Sequence, residues 1–573
     1  MKRLLLTFAI CAAAAACGNS EETAPPLAQQ PTHSAGATIP AAPAVDGNAI
    51  LERIKVLSSD EYEGRAPGTK GEDLTVKYLV DESKKLGLQP GNPDGTYVQK
   101  VPLVGITGAQ AQPLTITKGA QKKTYKWSDE VVAWTRRVAD TTSIADSDII
   151  FAGYGVEAPE YNWNDFKGVD VRGKTIVVLV NDPQVPSASN PSQLDDKVFN
   201  GKAMTYYGRW TYKYEKGAEL GAAGVLIVHE TGPAGYPFPV VQGFLGERFG
   251  LVAKDKNMSK SSVEGWLSLD AAKSLFAMAG QDFDALKKQA LSRDFKPVPL
   301  GLKASMGIRN TMRTIDSQNV IAKVEGSDAR MKDEYVVYSS HWDHLGVGTP
   351  VDGDKVYNGA LDNASGVAAL LEMAKAFTQV QPKPKRSILF LFVTAEEQGL
   401  LGSEFYGTNP LYPLEKTVAN INLDGVNQWG RTRDITVVGM GASDLDDVLK
   451  SAAQVQGRTL NPDPESEKGF YYRSDHFNFA KVGVPALYTD TGVNFIGKDE
   501  AFSKSKRDEY TSTDYHKPSD EIKPDWDLSG AVEDVQLMFM VGHSVANTDR
   551  FPEWKPGNEF KAKRDAMLGA ARR

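Results

Sequence analysis

Only two of the 573 residues are cysteine, Cys11 and Cys17, and both lie in the first few residues. The rest of the chain can form neither a disulfide nor a thiolate metal site, so any metal must be held by histidine and carboxylate. There is no cationic excess either. Against 73 Asp and Glu stand 65 Lys and Arg, a formal charge of −8, which argues against a nucleic-acid partner held through a broad phosphate-neutralising surface. Beyond the first residues no apolar run is long enough to cross a bilayer. Two hydrolase signatures are missing as well. His229-Glu230-Thr231-Gly232-Pro233 lacks the second histidine of a His-Glu-x-x-His zinc helix and ends in proline, and there is no Gly-x-Ser-x-Gly nucleophile elbow.

What is present begins with Met1-Lys2-Arg3 and an apolar run from Leu4 to Ala16, the pattern of an export signal. The run ends at Ala15-Ala16-Cys17-Gly18, which resembles a bacterial lipobox. That resemblance implies lipid attachment at Cys17 and a protein anchored to a bacterial membrane, facing the periplasm or the cell surface. Ala14 stands where the lipobox usually has leucine, so simple cleavage and release is the alternative.

Composition divides the remainder. Residues 18–46 are rich in Ala, Pro, Thr and Gln and read as a disordered tether. Helical spacing of Ile50, Leu51, Ile54 and Leu57 opens an N-terminal part of the catalytic domain over 47–112, with a second helix from Gly71 to Leu86 stopped by Gly87. Residues 113–305 read as a mixed or β-rich insert, with a helix-then-strand unit at Lys216 to Val228. Residues 306–555 alternate buried-type strands with helices, which predicts an α/β fold with a mostly parallel mixed sheet flanked by helices. Residues 556–573 form a basic tail, read as a frayed helix.

In an open α/β sheet, chemistry collects beyond the carboxyl ends of the strands. Tyr335-Val336-Val337-Tyr338 runs into Ser339-Ser340-His341-Trp342-Asp343-His344, where His341 is a candidate ligand and Asp343 a candidate to orient its second ring nitrogen. In Asn358-Gly359-Ala360-Leu361-Asp362-Asn363, Asp362 or Asn363 reads as a helix cap, and Asp362 alternatively as a carboxylate bridging two ions. The run Ile388–Val393 ends in Thr394-Ala395-Glu396-Glu397, and two adjacent anions there need a cation or a proton. Glu397 fits a metal ligand and Glu396 a general base. Asp424 after Asn420-Ile421-Asn422-Leu423, and His516 in Asp514-Tyr515-His516-Lys517-Pro518, complete a set with one histidine and one carboxylate per ion plus a shared carboxylate.

This ordered series resembles the co-catalytic zinc aminopeptidase family that contains the bacterial leucyl aminopeptidases, glutamate carboxypeptidase and the transferrin receptor. The resemblance covers about Asn319 to Asn547, and Leu57-Ser58-Ser59-Asp60-Glu61-Tyr62-Glu63-Gly64-Arg65 is similar to the family's N-terminal segment. Gly153-Tyr154-Gly155 and Lys216 to Val225 resemble the protease-associated domain that several members insert. The resemblance implies a zinc exopeptidase-like fold, two Zn2+ per chain, peptide substrates and water-mediated cleavage. His341 and Asp424 would hold one zinc, Glu397 and His516 the other, and Asp362 would bridge, with Glu396 as base. Tyr472-Arg473-Ser474-Asp475-His476 is familiar in these proteins and reads as shaping the site without supplying ligands. Tyr471 or Tyr472 is a candidate for stabilising the oxyanion, with a packed aromatic as the alternative for either. Carboxypeptidase and glutaminyl-cyclase-like chemistry remain alternatives, as does a non-catalytic receptor of the same fold. A basic cluster aimed at a substrate carboxylate would favour a carboxypeptidase.

Overall fold

The computed structural model describes residues 39–571, so the expected export signal, Cys17 and most of the expected tether lie outside the described residues. Where the tether meets the body, Ile39 and Val45 pack on the core and the Pro43 carbonyl accepts a hydrogen bond from Gln536. Asp46 then caps the first helix, Gly47–Leu57, by accepting the amides of Asn48 and Ala49, and Ile50, Ile54 and Leu57 point inward. The second helix, Lys70–Lys85, ends before Gly87, whose φ of 75° is the left-handed conformation expected of a helix stop.

At the centre lie three fully buried strands. Tyr335–His341 pairs in parallel with Ser387–Val393 on one side and with Thr417–Asn422 on the other. Successive side chains of a strand face opposite ways, and each face has its own cover. Val336, Tyr338, Ile388, Phe390 and Phe392 pack with Phe377 and Phe539 of the helices Gly366–Gln379 and Ser529–Asn547. Tyr335, Val337, Leu389, Leu391 and Val393 pack with Tyr406 and Phe479 of Leu401–Thr408 and His476–Lys481. The sheet continues through Ala486–Asp490, Asp434–Val438 and Thr459–Pro462.

In the other direction it passes, through the long strand Val298–Val324, into the middle region. Val98–Lys118 runs antiparallel along that strand, so the two form a shared two-stranded spine. The middle region itself mixes strands with helices. Thr175–Leu179, Gly224–Val228 and Val263–Leu267 form a parallel ladder that Thr141–Phe151 joins, with the helices Trp210–Glu219 and Leu269–Ala279 against it. Lys213 is buried there and donates to the carbonyls of Tyr154, Asn181 and Tyr207, which satisfies its ammonium without a carboxylate contact. The C-terminal stretch, read from sequence as frayed, is a docked helix over Lys561–Ala571: Arg564 is buried and donates to the carbonyls of Leu414 and Thr417.

Candidate metal centre

Register places the chemistry. His341, the last residue of its strand, lies opposite Val393, the last of the neighbouring one, and Glu396 and Glu397 follow in the next turn. On the other side Ser339 lies opposite Asn422, two residues before Asp424. Asp362 enters from the turn ahead of Gly366–Gln379, and His516 from the turn after the helix Ala501–Thr513.

Asp362 faces two histidines at once. Its Oδ1 lies 3.3 Å from His341 Nε2 and its Oδ2 3.3 Å from His516 Nε2. His341 Nε2 is also 3.2 Å from Asp424 Oδ1, and His516 Nε2 is 3.0 Å from Glu397 Oε2. Donors at about 2.0–2.2 Å from one tetrahedral zinc stand roughly 3.3–3.6 Å apart, so these spacings are close to those of atoms sharing an ion. The residues fit two ions: His341, Asp362 and Asp424 around one, His516, Asp362 and Glu397 around the other. Glu396 Oε2, 4.0 Å from His341 Nε2, is the carboxylate left over. All five ligand candidates and the candidate base are therefore brought together.

With this arrangement in view, comparison with known proteins adds the following. The model of Peptidase family M28 matches residues 319–540. That stretch is similar to peptidase family M28. Among curated relatives, "Aminopeptidase NAALADL1" of Mus musculus is 31% identical over 169 residues, which are 27% of this chain and 21% of that protein. "Glutamate carboxypeptidase 2 homolog" of Caenorhabditis elegans is 34% identical over 129 residues, 22% of this chain and 15% of that protein. The chain thus spans about a fifth of the length of the curated relatives it matches. Among solved structures, the aminopeptidase from Aneurinibacillus sp. strain AM-1 has a TM-score of 0.45 and 19% identity, covering 87% of this chain and 93% of that one.

Several residues that hold the M28 site in place carry no motif of their own. Arg65 is buried and donates to four carbonyls, those of Leu57, Trp342, Asn358 and Gly359, so it ties the loops after His341 and before Asp362 to the N-terminal segment. At Gly359, φ is 57° and a Cβ would meet the Asp362 carbonyl at 2.3 Å and the His344 ring at 2.5 Å. Asp520, four residues after His516, accepts the amides of Leu361 and Asp362. Asn363, not Asp362, takes the helix-capping role by accepting the amides of Gly366 and Gly425. Ser474 Oγ donates to Asp424 Oδ2 at 2.5 Å and accepts from Asn422, so the Ser474-Asp475-His476 run shapes the site without ligating. Asp475 accepts from Ser403, while His476 is buried between Tyr471 and Tyr488, where burial lowers its pKa to about 3.

Two assignments change. Asp343 does not orient His341 through its carboxylate: His341 Nδ1 is 3.1 Å from the Asp343 carbonyl and 3.8 Å from Oδ1. The carboxylate instead accepts the amides of Glu396 and Glu397. It thereby fixes a turn in which Ala395 has a φ of 52°, a left-handed conformation costing about 1–2 kcal/mol for an L-residue. The tyrosines also differ from expectation. Tyr472 gives its hydroxyl to Glu559, and Tyr471 is packed among Tyr472, His476 and Phe560; a packed aromatic core, not an oxyanion, is what they serve.

The centre is short of positive charge. Burial raises Asp343 to about 8. Burial, opposed by His341 and reinforced by Asp424 and Glu397, lifts Glu396 well above the carboxylate range. Burial disfavours a charged His516, yet Glu397 and Asp362 raise it to about 10. A pocket that draws protons onto its histidines at neutral pH is one where a metal cation can take the place of those protons.

His344, which sequence reasoning left without a role, is fully buried with Nδ1 2.6 Å from Glu397 Oε1. It lies close enough to Asp362 and Glu397 to be a third candidate ligand, but 2.6 Å is too short for two donors on one ion and is a hydrogen-bond length. His344 therefore donates to Glu397 Oε1 and leaves Oε2 for the ion near His516. His344→Ala is expected to weaken zinc binding by about 10–100-fold, measured by competition with a chromogenic chelator. Unchanged affinity would remove His344 from this role.

Proposed function

We propose that the protein is an aminopeptidase that removes N-terminal residues from peptides with two zinc ions per chain. The observation that carries this reading is Asp362, whose two oxygens each face a different histidine at 3.3 Å. When bound, the ions would polarise the scissile carbonyl and lower the pKa of an attacking water toward about 7. Glu396 is not needed as a ligand and stands beside both clusters, so its carboxylate takes the water's proton and returns it to the leaving amine. Asp343 keeps that carboxylate aimed by holding the Glu396 and Glu397 amides. The surplus of carboxylates favours a substrate that brings a cationic N-terminus into the site.

Retention of all five ligands together with Glu396 argues against a non-catalytic receptor. We further propose that residues 113–305 are a protease-associated insert and that export with lipid attachment at Cys17 places the enzyme on a bacterial membrane. The support for both lies in the sequence, and retention of Cys17→Ser in the membrane fraction would count against the anchor.

Glu396→Gln is expected to keep its zinc, by elemental analysis, and to lose at least about a hundredfold in kcat. Hydrolysis of an aminoacyl reporter is expected to stop when its amine is acetylated. Near-normal turnover of Glu396→Gln, or cleavage of the acetylated substrate, would overturn the corresponding part of this reading.

A further inference from the structure

Glu396 and Glu397 are neighbours in one turn but are held differently. The Glu397 carboxylate takes a hydrogen bond from His344 at 2.6 Å and faces His516 at 3.0 Å. The Glu396 carboxylate lies 4.0 Å from His341 Nε2 and makes no hydrogen bond with another side chain among the described residues. Its direction is therefore set by the backbone that carries it, which includes Ala395 at a φ of 52°. A left-handed alanine is not self-sustaining and needs outside support. Asp343 supports the turn on one side, through the amides of Glu396 and Glu397. On the other side the support falls to Thr394, which joins the turn to the strand Ser387–Val393.

Thr394 is fully buried and bound at three points. Its carbonyl accepts the Gly402 amide at 2.9 Å, and its amide donates to Asn319 Oδ1 at 3.0 Å. Its hydroxyl meets Ser317 Oγ at 2.6 Å, and Ser317 Oγ donates to Glu72 Oε1 at 2.9 Å. Strand register explains why side chains do this. The long strand Val298–Val324 pairs with Ser387–Val393 up to Val320 opposite Phe392. Past that point Asn319 and Ser317, two residues apart and so on one face, reach Thr394 in place of ladder bonds. Glu72, in the helix Lys70–Lys85, is 2% exposed, forms no ion pair among the described residues, and accepts the Gly68 amide at 2.6 Å with its other oxygen. A buried carboxylate without a cation is costly unless donors meet it. An ionised carboxylate only accepts, and a serine has one hydrogen to give. Ser317 gives its hydrogen to Glu72, so the hydrogen between the two hydroxyls comes from Thr394.

We propose that Ser317 and Thr394 are positioning residues for the base: the chain from Glu72 through their hydroxyls anchors the turn and thereby aims Glu396. This inference rests on the peptidase reading, in which Glu396 moves the proton of the attacking water. Glu397 has His344 as a second hold, whereas Glu396 has only the turn. Loosening the chain therefore disturbs the base and spares the ion.

The full-length, zinc-loaded protein is compared with Thr394→Val, Thr394→Ser, Ser317→Ala and the Ser317→Ala/Thr394→Val double variant. The readouts are kinetics on an aminoacyl reporter, zinc content, and hydrogen–deuterium exchange of residues 394–400, where the Gly399 and Leu400 amides donate to the Glu396 carbonyl. Thr394→Val is expected to lower kcat about 10–100-fold, to leave KM within about twofold, and to keep its zinc. Exchange over 394–400 is expected to quicken about tenfold while that of 387–393 stays unchanged. Thr394→Ser, which keeps the hydroxyl, is expected to recover most of both effects. The double variant is expected to be about as slow as the slower single one, because both changes break one chain. Loss of zinc in step with kcat, equal losses in Thr394→Ser, or losses that multiply in the double variant would overturn the proposal. An active wild type with unchanged exchange in Thr394→Val would remove the anchor and leave the peptidase reading intact. A wild type that leaves the reporter uncut, with faster exchange in Thr394→Val, would refute that reading and keep the anchor.

Discussion

The separation between the two oxygens of Asp362, each 3.3 Å from a different histidine, fixes where every other group of the site must stand. Once that carboxylate is shared, His341 needs an acid on its far side and finds Asp424, and His516 needs another and finds Glu397. The turn that carries Asp362 cannot drift, because Asp520 holds two of its amides and Arg65 holds the carbonyls that lead into it. So much negative charge out of water is unstable by itself. The histidines that neighbour these carboxylates, at 3.0–3.3 Å, give the cluster the donor spacing that suits cations.

The scaffold explains why these groups converge from such distant parts of the chain. Three parallel strands buried on both faces end at one edge, so residues separated by 83 positions, His341 and Asp424, become neighbours. The long antiparallel spine of Val98–Lys118 and Val298–Val324 carries the sheet onward into the middle region. The middle region is thereby not a loosely tethered appendage: Lys481 of the catalytic part pairs with its Glu215 at 2.8 Å, and Tyr206 inserts against Tyr472 and Phe477.

The candidate ligands were legible because each follows an unbroken apolar strand or a turn with a distinctive charge. His341, Asp362, Glu397, Asp424 and His516 all stand where the strand-and-loop pattern placed them. The residues that hold them were not legible, for a physical reason. Arg65 bonds only backbone carbonyls, which leave no mark in a sequence, and the Asp520 partners are backbone amides. His344 was visible within His341-Trp342-Asp343-His344, but whether a buried histidine ligates or merely donates depends on a distance of 2.6 Å that spacing does not encode. For Tyr471 and Tyr472 the sequence left oxyanion contact and aromatic packing both open, since proximity to a familiar motif says nothing about where a hydroxyl points. In the middle region the helix-then-strand unit around Lys216 to Val228 was legible, and the pairing of its strands was not, because short apolar strands carry no mark of which neighbour they pair with.

The central claim is that Asp362 joins two cations. Anomalous diffraction at the zinc edge from crystals of the full chain, grown with zinc, measures this directly. The account predicts two peaks about 3.5–4 Å apart, one beside His341 and Asp424 and the other beside His516 and Glu397, with Asp362 between them. A single peak, or two that do not share Asp362, would contradict it.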